Sequence, residues 1–281
     1  MIVDVHTHLS TRQQWGPVFC EGFDQAYSDT GVDLHGTPER HHAAMANVDK
    51  AIVFGINSKA MQMATPHESI AAYARQYPDK IIGFMSIDPH EPDALDQIDR
   101  CVNDLGLRGI KMSPVYQRYH PTDPKVEPIH RRAEALGLPI LTHASFHFAA
   151  DTPMEWANPL LYDPVARRFP ELKIILAHVG RPWFTDALVM VRKHPNVYAD
   201  ISAAMLGPWW GYQALAAFHE AGLLTKLLFG TDWPIVSFDQ TAGGLRRIND
   251  VVAGTAMPKI PAEAIEALIH RDSLALLGLD K

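Results

Sequence analysis

The chain has 281 residues, 47% of them hydrophobic and 20% charged, which suits one large core, so we expect a single domain over residues 1–281. The formal net charge is −7 and no basic run occurs, which argues against nucleic-acid and anionic-membrane partners and favours a small molecule. The only cysteines, Cys20 and Cys101, are far apart in sequence, which argues against a disulfide framework and against a thiolate metal cluster.

Short apolar runs predict buried parallel strands at eight places. They cover residues 2–6, 50–56, 80–87, 107–112, 138–143, 173–178, 196–201 and 226–231. Most connecting segments have helical patterns, such as Pro66 to Tyr77, and residues 261–279 predict a closing helix. This alternation predicts an α/β fold, the (β/α)₈ TIM barrel. A doubly wound open sheet is the competing architecture, but it usually has fewer strands and a Gly-rich turn after the first one, and that turn is missing here.

Two predicted connections are longer than ordinary turns between a strand and a helix. The first covers residues 9–47, and its part before residue 38 carries Trp15, Phe19 and Phe23. The second covers residues 144–159 and is also rich in aromatic side chains. Because long loops in compact barrels are usually functional, we expect the first to form a lid, with Trp15 against the substrate. The alternative is that these aromatic residues only pack on the barrel mouth.

Imidazoles, carboxylates and a lysine recur at the predicted C-terminal ends of the strands, where barrel enzymes place their chemistry. His6 and His8 are separated by one residue on a strand, so both rings point to the same face. In chain order the strand-end residues are His6, His8, Asp88, Lys111, His143, His178, Asp200 and Asp232. Of these, Asp88 and Asp200 are expected to cap the following loops. Imidazoles together with one carboxylate suit Zn²⁺ or another first-row divalent ion, with a position open for water.

The motifs around these residues resemble the amidohydrolase superfamily. They are Val-Asp-Val-His-Thr-His, Arg-Gly-Ile-Lys, Leu-Thr-His, Leu-Ala-His-Val-Gly and Phe-Gly-Thr-Asp-Trp-Pro, in this order along nearly the whole chain. They most resemble the amidohydrolase-related branch, which includes the aminocarboxymuconate-semialdehyde decarboxylase group. One departure is Asp272 in the closing helix, where we expect Asn in this branch.

The resemblance implies that His6, His8, His143 and Asp232 bind one divalent metal ion. We expect Zn²⁺, with Mn²⁺ as the alternative. His178 would stay near the ion as a catalytic base or water-orienting group, since imidazole titrates near neutral pH. Asp232 would act both as a ligand and as a proton shuttle.

Lys111 has two interpretations. In related binuclear enzymes a carbamylated lysine at the end of strand four bridges two metals, and the residue types of that arrangement occur here in order. The amidohydrolase-related branch keeps a lysine in this motif with one metal, which would make Lys111 a charge for a substrate carboxylate or a structural ion pair. We favour one metal. Arg181, and more weakly Arg12 and Arg118, are further candidates for binding a substrate anion.

The sequence leaves more than one function open. The first hypothesis is a metal-dependent hydrolase in which activated water attacks a lactone, amide or ester. The alternative is a metal-dependent non-oxidative decarboxylase of an aromatic or unsaturated carboxylic acid. A non-catalytic binding barrel is the third hypothesis, and the presence of both His178 and Asp232 argues against it. The substrate discriminates between the first two, and it is selected by loops that vary within one fold.

Two further features concern location and assembly. No stretch of about 18 apolar residues occurs and no charged region precedes the first strand, so we expect a cytoplasmic protein. The apolar segment Pro208-Trp209-Trp210 is a candidate contact in a homodimer.

Overall fold

Parallel strands alternate with helices in the computed structural model, which describes residues 1–280. The strands are β1 (Val3–His8), β2 (Lys50–Phe54), β3 (Ile81–Gly83), β4 (Met85–Ser86), β5 (Ile110–Met112), β6 (Ile140–Thr142), β7 (Ile174–Leu176), β8 (Val197–Asp200) and β9 (Leu227–Leu228). They pair in parallel in the orders β1-β2-β3 and β4-β5-β6-β7-β8-β9. Each strand therefore lies beside its neighbour in the sequence, as in a singly wound barrel.

Hydrogen bonds join the two sheets into one closed barrel. The third predicted strand is interrupted at Phe84, whose N–H donates to Val53 O at 2.9 Å, while the next N–H, that of Met85, donates to Gly109 O at 2.9 Å. At the other junction the Val5 N–H donates to Phe229 O at 3.0 Å. Nine strands therefore occupy eight barrel positions, and the (β/α)₈ TIM barrel predicted from the sequence is confirmed.

Helices fill the connections between the strands. The α-helices are α1 (Pro17–Tyr27), α2 (Pro38–Ala44), α3 (His67–Gln76), α4 (Ala94–Asn103), α5 (Pro114–Gln117), α6 (Glu127–Leu136), α7 (Asp163–Arg168), α8 (Phe184–Lys193), α9 (Pro208–Glu220), α10 (Phe238–Arg246), α11 (Ala262–Ile269) and α12 (Ser273–Leu277). Short 3₁₀ helices cover Met154–Trp156, Pro159–Tyr162, Ala177–Gly180, Ala204–Leu206, Leu224–Lys226 and Ile248–Val252.

The closing segment differs from the single helix predicted over residues 261–279. It consists of α11 and α12, because the chain leaves the helical conformation at residues 270–272. The Asp272 side chain caps α12 by accepting the Ala275 N–H at 3.3 Å. Asp and Asn are comparably good N-cap residues, so the departure from Asn at this position preserves its structural role.

Apolar side chains fill the barrel below its C-terminal rim. Val5, Phe54 and Leu141 belong to one fully buried cluster, to which Leu277 of α12 also contributes. A second cluster, formed by residues that follow β1 and by several other loops, contains Trp15. The polar side chains at the strand ends lie at the C-terminal rim of the barrel, where barrel enzymes place their chemistry.

Two features of the helices bear on membrane association and on assembly. Within residues 1–280 no helix combines the length and the apolar character needed to cross a bilayer. Trp209 and Trp210, in the first turn of α9, are 45% and 41% exposed. The segment expected to contact a second subunit therefore faces solvent, and a homodimer stays a prediction.

Candidate metal centre and its cavity

A β-bulge in β1 brings His6 and His8 to the barrel interior. The pairing of β1 with β2 shifts register between Asp4 and Thr7, so one extra residue is accommodated in β1. Bulges of this kind re-aim side chains, and here Val5 packs inside the barrel while the next residue, His6, also faces inward. The two imidazole centroids are 5.3 Å apart. The shared face predicted for the two histidines is therefore present.

His6, His178 and Asp232 form the tightest group of potential ligands. One ligand atom from each lies within 4.8 Å of the others. His6 Nε2 is 3.3 Å and His8 Nε2 is 3.1 Å from Asp232 Oδ1. The ring of His143, which follows β6, lies 4.9 Å from the ring of His178 between centroids. The structure thus gathers all five residues, and places His178 as near the centre as the predicted ligands.

The backbone at this group is strained. His178 and Asp232 have φ angles of 59° and 72°, and Val179 has a φ of 47°. Left-handed backbone at a residue other than glycine costs roughly 1–3 kcal/mol and is concentrated at functional sites. Gly230 allows the chain before Asp232 to approach β1, since a Cβ at this position would lie 3.0 Å from His6 Cβ.

Asp200 and Ser202 orient two of the imidazoles, a role that the sequence analysis missed. His6 Nδ1–H donates to Asp200 Oδ2 at 2.9 Å. His178 Nδ1–H donates to Ser202 Oγ at 2.9 Å, and the Ser202 hydroxyl donates to Asp200 Oδ1. Since both Nδ1 atoms act as donors, the Nε2 atom of each ring carries the lone pair. Asp200 also caps the following loop as expected, since it accepts the Ser202 N–H at 3.0 Å, whereas nothing in the sequence singled out Ser202.

The donor set fits a divalent metal ion. Burial, the largest cause, lowers the pKa values of His6, His8, His143 and His178 well below the usual value for imidazole, so these rings are neutral. His8 Nδ1 and His143 Nε2 are buried and have no hydrogen-bond partner within residues 1–280. Neutral imidazoles beside a carboxylate are the ligands that Zn²⁺ and related ions prefer.

Lys111 lies at the floor of the cavity, on β5. Its side chain is only 1% exposed, and its Nζ is 3.4 Å from His6 Nε2 and 4.8 Å from the centroid of the Phe54 ring. Burial lowers the pKa of Lys111, and the nearby carboxylates of Asp200 and Asp232 oppose this shift. This position is compatible with both expectations for Lys111, a charge for the substrate and a residue of the metal centre.

The three candidate arginines have different surroundings. Arg181 is half-buried and lines the cavity that contains the histidines. Arg12 and Arg118 instead form exposed ion pairs with Asp24 and Asp151. The cavity therefore contains Arg181 alone among the arginines predicted to bind a substrate anion.

Aromatic side chains form the walls of a cavity above the histidines. The aromatic lining residues other than the proposed ligands are Trp15, Phe19, Tyr27, Tyr116, Phe146, His147 and Phe148. The Trp15 ring lies 4.9 Å from the His8 ring and stacks on Phe19 at 4.6 Å between centroids. Tyr116 follows β5 in α5, and no motif in the sequence indicated it.

The segment expected to form a lid, residues 9–37, is a well-packed cap. It contains α1, and Trp15, Phe19 and Phe23 are each 2–3% exposed. Trp15 Nε1–H donates to Leu34 O at 3.0 Å. Lids come from weakly packed regions, whereas these aromatic side chains belong to a buried cluster together with residues of other loops, so the expectation of a lid is corrected.

Comparison with known proteins gives decarboxylases among the sequence relatives. Gamma-resorcylate decarboxylase of Rhizobium radiobacter is 25% identical over 228 residues, which cover 66% of this chain and 69% of that protein. The 2-amino-3-carboxymuconate-6-semialdehyde decarboxylase of Dictyostelium discoideum is 23% identical over 245 residues, which cover 76% of this chain and 66% of that protein.

Solved structures with the same fold include both a decarboxylase and a hydrolase. The 5-carboxyvanillate decarboxylase of Novosphingobium aromaticivorans, in complex with manganese, has a TM-score of 0.69 at 17% identity, with 99% of this chain and 96% of that chain covered. A probable 2-pyrone-4,6-dicarboxylic acid hydrolase of Acinetobacter baumannii has a TM-score of 0.68 at 15% identity, with 99% of both chains covered. The amidohydrolase family model matches residues 3–279. This chain therefore belongs to the amidohydrolase family, as the order of its histidine and aspartate motifs around the barrel predicts.

Proposed function

We propose that this protein is a metal-dependent, non-oxidative decarboxylase of an aromatic or unsaturated carboxylic acid. The observation that carries the proposal is the activity of both sequence relatives described above, which are decarboxylases. Of the two enzyme hypotheses that the sequence left open, the relatives therefore favour the alternative over the hydrolase.

One divalent ion, Zn²⁺ or Mn²⁺, would be held by His6, His8, His143 and Asp232. When bound, the ion would supply Lewis-acid polarisation of a substrate oxygen. Asp200 prepares His6 for this role, because its carboxylate holds Nδ1–H and leaves Nε2 free for coordination. Mn²⁺ stays beside Zn²⁺ in the proposal because a decarboxylase of the same fold contains manganese.

The reaction replaces a carboxylate with a proton at the same carbon. A proton adds to that carbon, the bond to the carboxylate carbon breaks, its electron pair returns to the ring or double bond, and CO₂ leaves. We assign the handling of the proton to His178 and Asp232, whose nearest ligand atoms lie within 4.8 Å of each other. The Ser202 hydroxyl keeps the His178 ring in place through Nδ1.

The aromatic walls suit this reaction. Trp15, Phe19 and Tyr116 line the cavity with largely apolar surface, which would shield a bound substrate from bulk water. A carboxylate loses charge density as CO₂ forms, so an apolar wall favours the later stages of the reaction over the ionised ground state. Aromatic walls pack well against a planar, conjugated group, which is why we propose an aromatic or unsaturated substrate.

Hydrolysis of a lactone, amide or ester stays as the second candidate function. It is favoured by the likeness in fold to the probable pyrone dicarboxylic acid hydrolase. The two functions need the same metal ligands. They differ in the bond that breaks, which is the bond to the carboxylate carbon in decarboxylation and the lactone, amide or ester bond in hydrolysis.

A product assay over a mixed substrate panel tests the proposal. The metal-loaded protein is incubated with hydroxybenzoic acids, unsaturated dicarboxylic acids, lactones and esters, and both CO₂ and ring-opened products are measured. We expect CO₂ from at least one acid, and none after the metal is removed with a chelator. Ring opening of a lactone without any release of CO₂ would instead support the hydrolase.

A further inference from the structure

We propose that Arg181 forms a subsite for a second acidic group of the substrate, so that the substrate is a dicarboxylic acid. The inference rests on the proposed decarboxylase function, and it narrows the substrate class of the same cavity. It starts from one unusual feature, a half-buried arginine in the cavity wall that has no anionic partner.

Hydrogen bonds fix the backbone of Arg181 at the edge of the metal centre. The residue directly follows the 3₁₀ helix that carries His178, and its N–H donates to His178 O at 3.0 Å. Its carbonyl accepts the Phe146 N–H at 3.0 Å and the Ser145 hydroxyl at 2.7 Å. The loops after β6 and β7 therefore hold the base of this side chain in a defined place.

The guanidinium is oriented but not neutralised. It lies over the Phe146 ring at 4.9 Å from the centroid and 5.9 Å from the centroid of the Trp210 ring. One nitrogen donates to Ala203 O at 2.9 Å, while Nε is buried and has no partner. No carboxylate within residues 1–280 lies within ion-pair distance of Arg181. A guanidinium has five N–H donors, so most of its capacity to bind a planar anion is unused.

The charges of the cavity match a doubly charged ligand. Apart from the neutral histidines, the charged residues that line it are Lys111, Arg181 and Asp232. Asp200, which lies directly behind His6, adds a second negative charge, so these four side chains have no net charge and a divalent ion in the proposed centre would add two positive charges. A substrate with a single carboxylate leaves one of these charges uncompensated, whereas a dianion balances both.

Arg181 is poorly suited to binding the carboxylate that leaves as CO₂. A cation paired with that group stabilises the ionised substrate, and the stabilisation disappears as neutral CO₂ forms, so the barrier rises. A carboxylate that keeps its charge throughout the reaction carries no such cost. An arginine in this cavity is therefore better used to hold the second acidic group and to orient the ring.

Ligand binding tests the subsite without requiring turnover. The probes are benzene-1,3-dicarboxylate and its monomethyl ester, which have the same ring and differ by one charge, and binding to the metal-loaded protein is measured by calorimetry. We expect the dicarboxylate to bind at least 10-fold more tightly. Equal affinities in the unmodified protein would overturn the proposal, and this comparison needs no variant.

Variants then assign the preference to Arg181. Arg181→Gln should bring the two affinities within 2-fold of each other, while Arg181→Lys should keep part of the difference because it keeps the charge. Arg167→Gln is the matched control, since Arg167 is an exposed arginine paired with Asp163, and it should behave as the unmodified protein. A preference that persists in Arg181→Gln contradicts the subsite. Absence of CO₂ release with the preference intact contradicts only the decarboxylase.

Discussion

Asp200 and Ser202 determine how two histidines face the cavity. Asp200 accepts hydrogen bonds from His6 Nδ1, from the His178 backbone N–H at 3.0 Å and from the Ser202 hydroxyl. Such partners fix the tautomer and the ring orientation of a histidine and raise its basicity toward a metal. A single buried carboxylate therefore links the proposed ligand His6 to the proposed proton carrier His178.

Truncation of a metal ligand and truncation of the proton carrier should have different effects on metal content and kcat. His143→Ala is expected to lose both metal and activity. His178→Ala should keep most of its metal and lose about 100-fold or more in kcat, the usual contribution of a general acid or base. Metal content by elemental analysis and kcat on the same preparations decide between these roles.

A half-buried histidine outside the cavity provides the control for this comparison. His120 forms a local hydrogen bond with Thr122 and does not line the cavity, so His120→Ala should keep both its metal content and its kcat. An equal loss of metal in His143→Ala and His178→Ala would make His178 a ligand, which its place in the tightest group of ligand atoms also allows.

The site residues that the sequence could indicate are those with a pattern or a motif. His6 and His8 have the spacing of a strand face, and Asp232 lies in a motif at the end of the last strand. Ser202 and Tyr116 have neither, because their roles depend on which loops meet above the barrel. Contacts of this kind between distant segments have no local signal in a single sequence.

At the scale of elements, the cap over the barrel combines packing with substrate contact. Trp15 and Phe19 of this segment line the cavity, whereas Phe23 is buried in the same cluster without lining it. Phe23 stacks on Tyr27 and contacts Phe148 edge to face. Its contribution is therefore structural, and the two kinds of residue can be separated by mutation.

Two truncations should separate stability from substrate binding. Phe23→Ala should lower the free energy of unfolding by about 3 kcal/mol, as is usual for a buried phenylalanine, with little change in KM. Trp15→Ala should also lower stability, and in addition raise KM with its metal content unchanged, because its ring lies beside His8. Urea unfolding and steady-state kinetics measure both effects. An unchanged KM in Trp15→Ala over the whole substrate panel would reduce Trp15 to a packing residue.

The sequence predicted the positions of the barrel strands better than it predicted the packing of the cap. Apolar runs identify the strand positions because buried parallel strands are apolar on both faces. They do not reveal the interruption at Phe84 or the bulge in β1, which depend on hydrogen bonds to neighbouring strands. The length of the first connection indicated a lid, but its packing was visible only once Trp15 and Phe23 were seen in a shared cluster.

At the scale of the whole molecule, stability should depend on a histidine remote from the cavity. His130 in α6 is 1% exposed, and burial lowers its pKa to about 4. The unfolded chain, with a pKa near 6.5, binds more protons than the folded protein between these values. His130 therefore does not lower the free energy of unfolding above about pH 6.5. As the pH is lowered toward 4, it lowers this free energy by up to about 3 kcal/mol.

His130→Leu should remove this contribution. The difference in free energy of unfolding between the variant and the unmodified protein should shift in favour of the variant as the pH falls from 6.5 to 4.5. Any release of metal at low pH occurs in both proteins and cancels in the difference. Parallel stability curves over this range would show that His130 does not titrate as its burial implies.

The proposed reaction of this barrel removes a carboxylate and puts a proton in its place. The most direct measurement uses metal-loaded protein in D₂O with carboxyl-¹³C-labelled aromatic and unsaturated acids, including dicarboxylic acids, followed by NMR and mass spectrometry. We expect one ¹³CO₂ released for each product molecule formed, with one deuterium at the carbon that carried the carboxylate. Retention of the label in every acid, together with uptake of water into a lactone, amide or ester, would contradict the proposed reaction.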